Sequence, residues 1–71
     1  MDIQRLITMA NQIGDFYGSY PNKTHAEQEI AGHLNKFWAL SMRKQIADHV
    51  AAGGVGLQQV VEKAVKNHLQ T

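Results

Sequence analysis

Apolar residues recur every three or four positions in four successive blocks of this 71-residue chain, and this spacing restricts its fold more than any other feature. Residues spaced in this way share one face of an α-helix, whereas a half-buried strand alternates apolar and polar residues. Essentially no segment shows that alternation. The sequence therefore predicts an all-α fold, a small bundle of about four short helices, which forms a single domain over residues 1–71.

The first predicted helix runs from about Asp2 to Tyr17 and has a wide apolar face. That face comprises Ile3, Leu6, Ile7, Ala10, Ile13 and Tyr17, and it is extended sideways by Met9 and Phe16. At about 100° per residue, the apolar arc covers roughly half of the helix circumference. This is broad for a helix that rests on one small core. Gly18, Pro21 and Asn22 are expected to end the helix.

The second predicted helix has the clearest start. Thr24 and Glu27 fit a capping box, in which the Thr hydroxyl and the Glu carboxylate each bind a free backbone N–H. The apolar stripe that follows consists of Ala26, Ile30, Leu34 and Phe37. On a helical wheel, Trp38 is displaced from the mean direction of this stripe by nearly a quarter turn. Trp38 is therefore predicted to face outward.

Two shorter helices are predicted after a break near residues 39–41. The third has an inner face of Met42, Ile46 and Val50, with His49 beside it, and the glycines at 53, 54 and 56 are expected to end it. The fourth spans about Leu57 to Leu69. The short connections indicate adjacent, roughly antiparallel helices.

A chain of this size has little stability of its own, because such a core rarely supplies more than about 3–5 kcal/mol. The chain has no cysteine, which excludes disulfides and thiolate metal sites. Its apolar residues exceed what four short helices hide from water, which favours a protein partner. The predicted contact residues are Phe37, Trp38, Met42, Arg43, Met9 and Phe16, since aromatic, Met and Arg residues are enriched at interfaces. The alternative is that Trp38 and Met42 complete the core of the chain and Arg43 is solvated.

Charge and hydropathy argue against several classes of protein. A formal net charge of +1 argues against a nucleic-acid binder, which normally has a basic excess on one face. No window approaches the roughly 20 apolar residues of a membrane span. The first residues lack a basic segment followed by an apolar one, so no secretory signal is predicted and a cytoplasmic location is expected.

The four histidines and the glycine cluster are each open to two interpretations. His25, Glu29 and His33 share one helix side and could supply metal ligands, but a solvated edge with His–Glu pairs is the favoured interpretation. His49 and His68 are interpreted as hydrogen-bonded packing residues, because neither has an oriented catalytic partner. Residues 53–56 lack the strand and the Lys-Ser/Thr pair of a phosphate-binding loop, so they are interpreted as a helix end and a tight turn.

Four segments together resemble a known family. They are residues 9–13 (MANQI), residues 33–38 (HLNKFW), Met42-Arg43, and residues 53–57 (GGVGL), and they occur in the family in this order and spacing. The chain resembles the delta subunit of cytoplasmic, NAD-dependent, molybdenum-containing formate dehydrogenases over about four-fifths of its length. Each segment is short, so the specificity lies in their combination.

The resemblance implies an accessory role without catalysis. Enzymes of this kind oxidise formate to CO2 and pass the electrons to NAD. Their larger subunits hold the molybdopterin centre, the iron–sulfur clusters and the flavin FMN, whereas the delta subunit has no cofactor and no catalytic or metal-binding residue. The implied partners are the larger formate dehydrogenase subunits, with the molybdenum-containing alpha subunit the first candidate. The implied role is assembly or stability of the active complex.

The chain departs from the family at two helix starts. The family often has Asp-Pro after the Phe-Trp pair, where this chain has Ala39-Leu40 and where Ser41 is the only capping candidate. A second Asp-Pro is replaced by Gln58-Gln59. Asp followed by Pro is a strong helix start, so both changes concern helix boundaries and not chemistry.

Two other classes of function remain as alternatives. One is a small helix-turn-helix-like nucleic-acid-binding protein, in which the phosphate contacts would come from Lys36, Arg43, Lys44, Lys63 and Lys66. Its affinity would fall steeply with salt, because binding releases counterions. The other is a bundle that associates only with itself.

Overall fold

The computed structural model describes all residues from Met1 to Thr71. It contains four α-helices and no strand: α1 (Ile3–Tyr17), α2 (Lys23–Phe37), α3 (Leu40–Ala51) and α4 (Gln59–His68). The predicted all-α bundle is confirmed, and the helix ends lie within a few residues of those predicted. No helix has the length and apolar character needed to cross a membrane.

The core lies where all four helices meet. Its largest fully buried side chains are Leu6, Ile30, Leu34, Ile46 and Val61, so every helix contributes at least one. α4 packs most extensively against α2. Small residues allow close approach of the helices, and Gly14 of α1 lies directly against Val61 of α4.

The start of α2 differs from the prediction. Asn22, not Thr24, is the N-cap, and its side-chain oxygen accepts the backbone N–H of His25 (3.1 Å). Thr24 lies inside the first turn and is exposed. The capping box was wrong because Asn22, next to Pro21, already supplies an extended residue with an acceptor side chain, and Asn is as good an N-cap as Thr or better.

Glu27, assigned to that capping box, has another role. It is the one charged residue in the buried set, with 8% of its surface exposed. Its Oε1 accepts from Asn67 Nδ2 (3.3 Å) and lies 3.7 Å from His68 Nε2. A buried carboxylate is costly unless it has such partners. Glu27 therefore links α2 to the end of α4.

The starts of α3 and α4 lie where the family places its Asp-Pro pairs. Ala39 is the N-cap of α3 and Gln58 that of α4, and neither side chain caps its helix. Ser41, the only capping candidate in the sequence, does not cap α3, because it lies within the first turn. Gln58 instead binds α1: its backbone N–H donates to Asn11 Oδ1 (2.9 Å), and its side chain donates to the carbonyl of Asn11.

The glycine loop between α3 and α4 is a turn held from both sides. Gly53, Gly54 and Gly56 have φ values of 122°, 67° and 90°, which side chains disfavour. The N–H of Gly54 donates to the carbonyl of His49 (2.9 Å), which closes the end of α3. The imidazole Nε2 of His49 binds the carbonyl of Val55 (2.7 Å), and Asn11 Nδ2 donates to that of Gly56 (2.8 Å). The interpretation of this segment as a helix end and turn is confirmed.

Residues after α4 run back across α2 and α3. Asn35 binds this segment with both ends of its amide: Nδ2 donates to the carbonyl of His68 (3.3 Å), and Oδ1 accepts from Gln70 N (2.8 Å). Arg43 donates to the carbonyl of Gln70 (2.9 Å). Leu69 packs on the core beneath these bonds. The C-terminal residues thus belong to the folded unit.

Candidate functional site

An apolar groove lies along one side of the molecule, between α1 and the second half of α2. Its volume is about 420 Å³. The residues that line it are Met9, Gln12, Ile13, Phe16, Tyr17, His33 and Trp38. Only Gln12 and His33 among them are polar. α1 supplies most of this surface because its apolar arc is wider than the core can cover, as its sequence predicted.

Two phenylalanines are exposed, one in the lining of the groove and one against His33, which also lines it. Phe16 lines it from α1 with 70% of its surface exposed, and Phe37, at the end of α2, is 66% exposed. Each ring contacts an aromatic neighbour: Phe16 meets Tyr17 edge-on at 4.8 Å between centroids, and Phe37 lies 4.8 Å from the His33 ring. Large exposed apolar patches on soluble proteins typically mark sites of contact with a partner.

Trp38 forms part of the groove floor and completes the core, as in the alternative interpretation, and it does not face outward as the helical wheel predicted. It is only 6% exposed and belongs to the hydrophobic core. The prediction was wrong because it extended the helical wheel of α2 by one residue too many. α2 ends at Phe37, and Trp38 has extended dihedral angles (φ −88°, ψ 137°), so its side chain leaves the backbone in another direction. Phe37, predicted in the buried stripe, is the exposed member of this pair.

Met42 and Arg43, the other predicted contact residues, have internal partners. Met42 is partly buried and packs against the core. The Arg43 guanidinium donates to the carbonyls of Trp38 (2.6 Å), Asn35 (3.3 Å) and Gln70 (2.9 Å). Two of these carbonyls belong to the end of α2, where helix carbonyls lack intrahelical partners. Arg43 therefore holds the junction of α2 and α3.

The histidines are distributed over separate environments. His25 Nε2 lies 3.6 Å from Glu29 Oε1, which confirms the predicted His–Glu pair at the edge of α2. His33 lies against Phe37 and not against Glu29. His49 is a hydrogen-bonded packing residue, as predicted, and His68 approaches Glu27. No three His, Cys, Asp or Glu side chains are arranged so that they could hold a metal ion.

Comparison with protein families decides the classification. The family model described as the NADH-dependent formate dehydrogenase delta subunit FdsD matches residues 5–65. The chain belongs to this family. The match runs from the first turn of α1 into α4 and so includes every residue that lines the groove. Neither the curated proteins nor the solved structures contain a match to the chain.

Membership in the delta-subunit family makes this chain a subunit of an oxidoreductase complex and implies protein partners. The resemblance inferred from the sequence segments is thereby confirmed. Nothing in the structure favours the nucleic-acid-binding alternative, and Arg43, one of its five basic residues, is bound to backbone carbonyls. The groove has a larger volume than the two other surface cavities, and most of its lining is apolar, so it is the candidate contact site for such a partner.

Several residues that hold the helices together around the groove were not identified from the sequence. Asn35 and Asn11 each bind backbone groups that are distant in the sequence. Their positions in the sequence do not indicate these hydrogen bonds. Glu27 could have been found: it lies four residues before the buried Ala31 and seven before the buried Leu34, which places it on the inner face of α2. Glu27 was instead assigned to the capping box, so its place on the inner face was not predicted.

Proposed function

We propose that the chain is a non-catalytic accessory subunit that supports the assembly or stability of a multi-subunit NAD-dependent formate dehydrogenase, the complex that oxidises formate to CO2. The observation that carries the proposal is the exposed pair Phe16 and Phe37 beside an apolar groove in a member of a delta-subunit family. A partner that covers these rings removes apolar surface from water, which stabilises the complex.

The proposal assigns the chemistry to the other subunits. Molybdopterin, iron–sulfur clusters, FMN and NAD are held there, and this chain holds none of them. The partner is a larger subunit, with the molybdenum-containing alpha subunit the first candidate, and the complex is cytoplasmic. Among the residues predicted for the interface, Met9, Phe16 and Phe37 remain as surface contacts. Trp38 contributes from the groove floor, and Met42 and Arg43 support the fold.

Deletion of the chain tests the accessory role. A strain without it is expected to express the larger subunits and yet to contain less active formate dehydrogenase, because the complex loses a stabilising contact. The measurements are formate-dependent NAD reduction and the thermal stability of the purified enzyme. Unchanged activity together with unchanged thermal stability contradicts the proposal.

Purification of the chain alone tests the absence of catalysis. The isolated protein is expected not to oxidise formate and to contain no molybdenum, iron or flavin. Elemental analysis and absorbance spectroscopy measure this. Stoichiometric metal or flavin in the isolated chain overturns the assignment of the cofactors to the other subunits.

A further inference from the structure

We propose that the groove binds an amphipathic helix of a larger formate dehydrogenase subunit. Apolar side chains of that helix pack against Phe16 and Phe37, and acidic side chains of the same helix face Lys36 and Arg5. This inference rests on the proposed accessory function and specifies the partner's chemistry at the groove.

The walls of the groove decide the secondary structure of its occupant. Both walls are α-helices, whose backbone N–H and C=O groups are already bonded within α1 and α2. The groove therefore offers no edge to which an extended peptide could add as a strand. A segment that buries its own backbone against this surface must satisfy its hydrogen bonds internally, and an α-helix does so.

The lining selects an apolar contact face on that helix. Met9, Ile13 and the indole of Trp38 form an apolar surface, and the polar groups at the groove are the Gln12 amide and the His33 imidazole. Met9 is flexible and polarizable, so its side chain can adapt to the shape of an inserted residue. Groove-binding helices present anchors at positions i, i+3, i+4 and i+7.

The contact area that a stable interface requires indicates that the occupant is a segment of several residues and not one inserted side chain. A stable interface buries about 800 Å² on each partner. The accessible surface of this chain is 4286 Å², so such an interface covers about a fifth of it. A helix that lies along the groove can contact α1 and α2 together over several turns, whereas one inserted side chain covers only a small part of such an area.

The charges at the rim determine the polar side of the partner. Lys36 Nζ lies 5.8 Å from the centroid of the Phe37 ring, and exposed Arg5 lies one turn before Met9 on the same face of α1. Neither forms a salt bridge within the chain, whereas Glu29 on the α2 rim already faces His25. Lys36 thus carries unpaired positive charge beside Phe37, and Arg5 carries it one turn before Met9. Both charges are complementary to acidic residues on the partner.

Phe16→Ala and Phe37→Ala test the apolar contact. Larger subunits purified from a strain that lacks this chain serve as the probe, and their affinity for the added chain is measured. Each substitution is expected to raise Kd at least tenfold, because truncation of a buried aromatic anchor is costly. Val55→Ala is the matched control: Val55 is 77% exposed in the glycine loop, away from the groove, and Kd is expected to stay within twofold. Circular dichroism confirms that all three variants fold.

The outcomes separate this inference from the proposed function. If the wild-type chain does not bind the larger subunits, the proposed function fails. If it binds and both phenylalanine variants bind equally well, the function stands and the groove is not the contact surface.

Charge reversal tests the acidic partner. Lys36→Glu is expected to raise Kd about tenfold at low salt, and the difference is expected to shrink at high salt because ions screen exposed charges. Lys44→Glu, which reverses an exposed charge on α3, is the control and should change Kd less than threefold. Equal effects of the two reversals contradict a specific carboxylate at Lys36.

A photo-reactive phenylalanine at position 12 identifies the occupant directly. The expected adducts lie on one larger subunit, at residues three or four positions apart with an acidic residue nearby. Adducts on a second copy of this chain, or on successive alternating residues of an extended segment, overturn the proposal.

Discussion

Two glycines inside helices differ in what surrounds them, and they show how packing decides the effect of a single methyl group. A Cβ at Gly14 would lie 2.5 Å from Cγ2 of Val61, in the contact between α1 and α4. A Cβ at Gly32 would meet nothing within 4 Å. The intrinsic preference of a helix for Ala over Gly is the same at both positions, about 1 kcal/mol.

Gly32→Ala is therefore expected to raise the free energy of unfolding by about 0.5–1 kcal/mol, because only the helix preference changes. Gly14→Ala is expected to lower it by about 1–3 kcal/mol, since an extra methyl group in a tight contact forces side chains and backbone to shift. Urea denaturation followed by circular dichroism measures both. A stabilised Gly14 variant would show that α1 and α4 are farther apart than described.

Trp38→Ala distinguishes the core position of the indole from the outward position that the helical wheel suggested. Truncation of a buried Trp costs about 3–5 kcal/mol, which is comparable to the whole stability of a core of this size. The free variant is expected to lose most of its helicity by circular dichroism. Phe37→Ala, one residue earlier but exposed, is the control and should retain it. Wild-type helicity in the Trp38 variant contradicts its place in the core.

At the scale of elements, the two helices without side-chain caps respond differently to the same substitution. Ala39 is exposed and extended (φ −59°, ψ 151°), which is the geometry of an N-cap that lacks only an acceptor. Gln58 occupies the equivalent position of α4, but its side chain binds α1. An acceptor side chain at position 39 therefore adds a cap without breaking any hydrogen bond. At position 58 a substitution removes the side-chain bond to α1.

Ala39→Asp is expected to stabilise the chain by about 1 kcal/mol, because the carboxylate accepts a free N–H and faces the positive end of the helix dipole. In a domain of this size that corresponds to a rise in Tm of about 4–8 °C. Gln58→Asp is expected to give no such gain. Thermal unfolding measures the two variants, and Ala39→Val, which has no acceptor, is the control. An equal rise in Tm for both Asp variants contradicts the role assigned to Gln58.

At the scale of the whole molecule, the sequence predicts the parts that depend on local spacing. The four helices, the helix end at residues 53–56 and the wide apolar arc of α1 all follow from periodicity and from glycine, and the structure has each of them. The position of Trp38 could not be predicted in this way, because it depends on whether α2 ends one residue earlier. The bonds of Asn35 and Arg43 to Gln70, after α4, connect positions far apart in the sequence, so no local pattern contains them.

The assembly of the core depends on α4, and a charge placed there tests this. Val61 is fully buried, and Lys63 on the same helix is exposed. Val61→Asp is expected to unfold the free chain, because an unpaired buried charge costs more than the roughly 3–5 kcal/mol that holds a small core. Lys63→Asp is the control and is expected to fold. The measurement is helicity by circular dichroism, and a folded Val61 variant would place α4 outside the core.

The extensive packing of α4 against α2 has a consequence for the protein during its synthesis. Val61, Ala64 and Val65 fill the centre of the bundle, yet they are among the later residues to leave the ribosome. Short helices are marginal in water without tertiary contacts. The nascent chain therefore exposes the apolar faces of α1 and α2 until residue 65 has emerged. During that interval these faces are open to a chaperone.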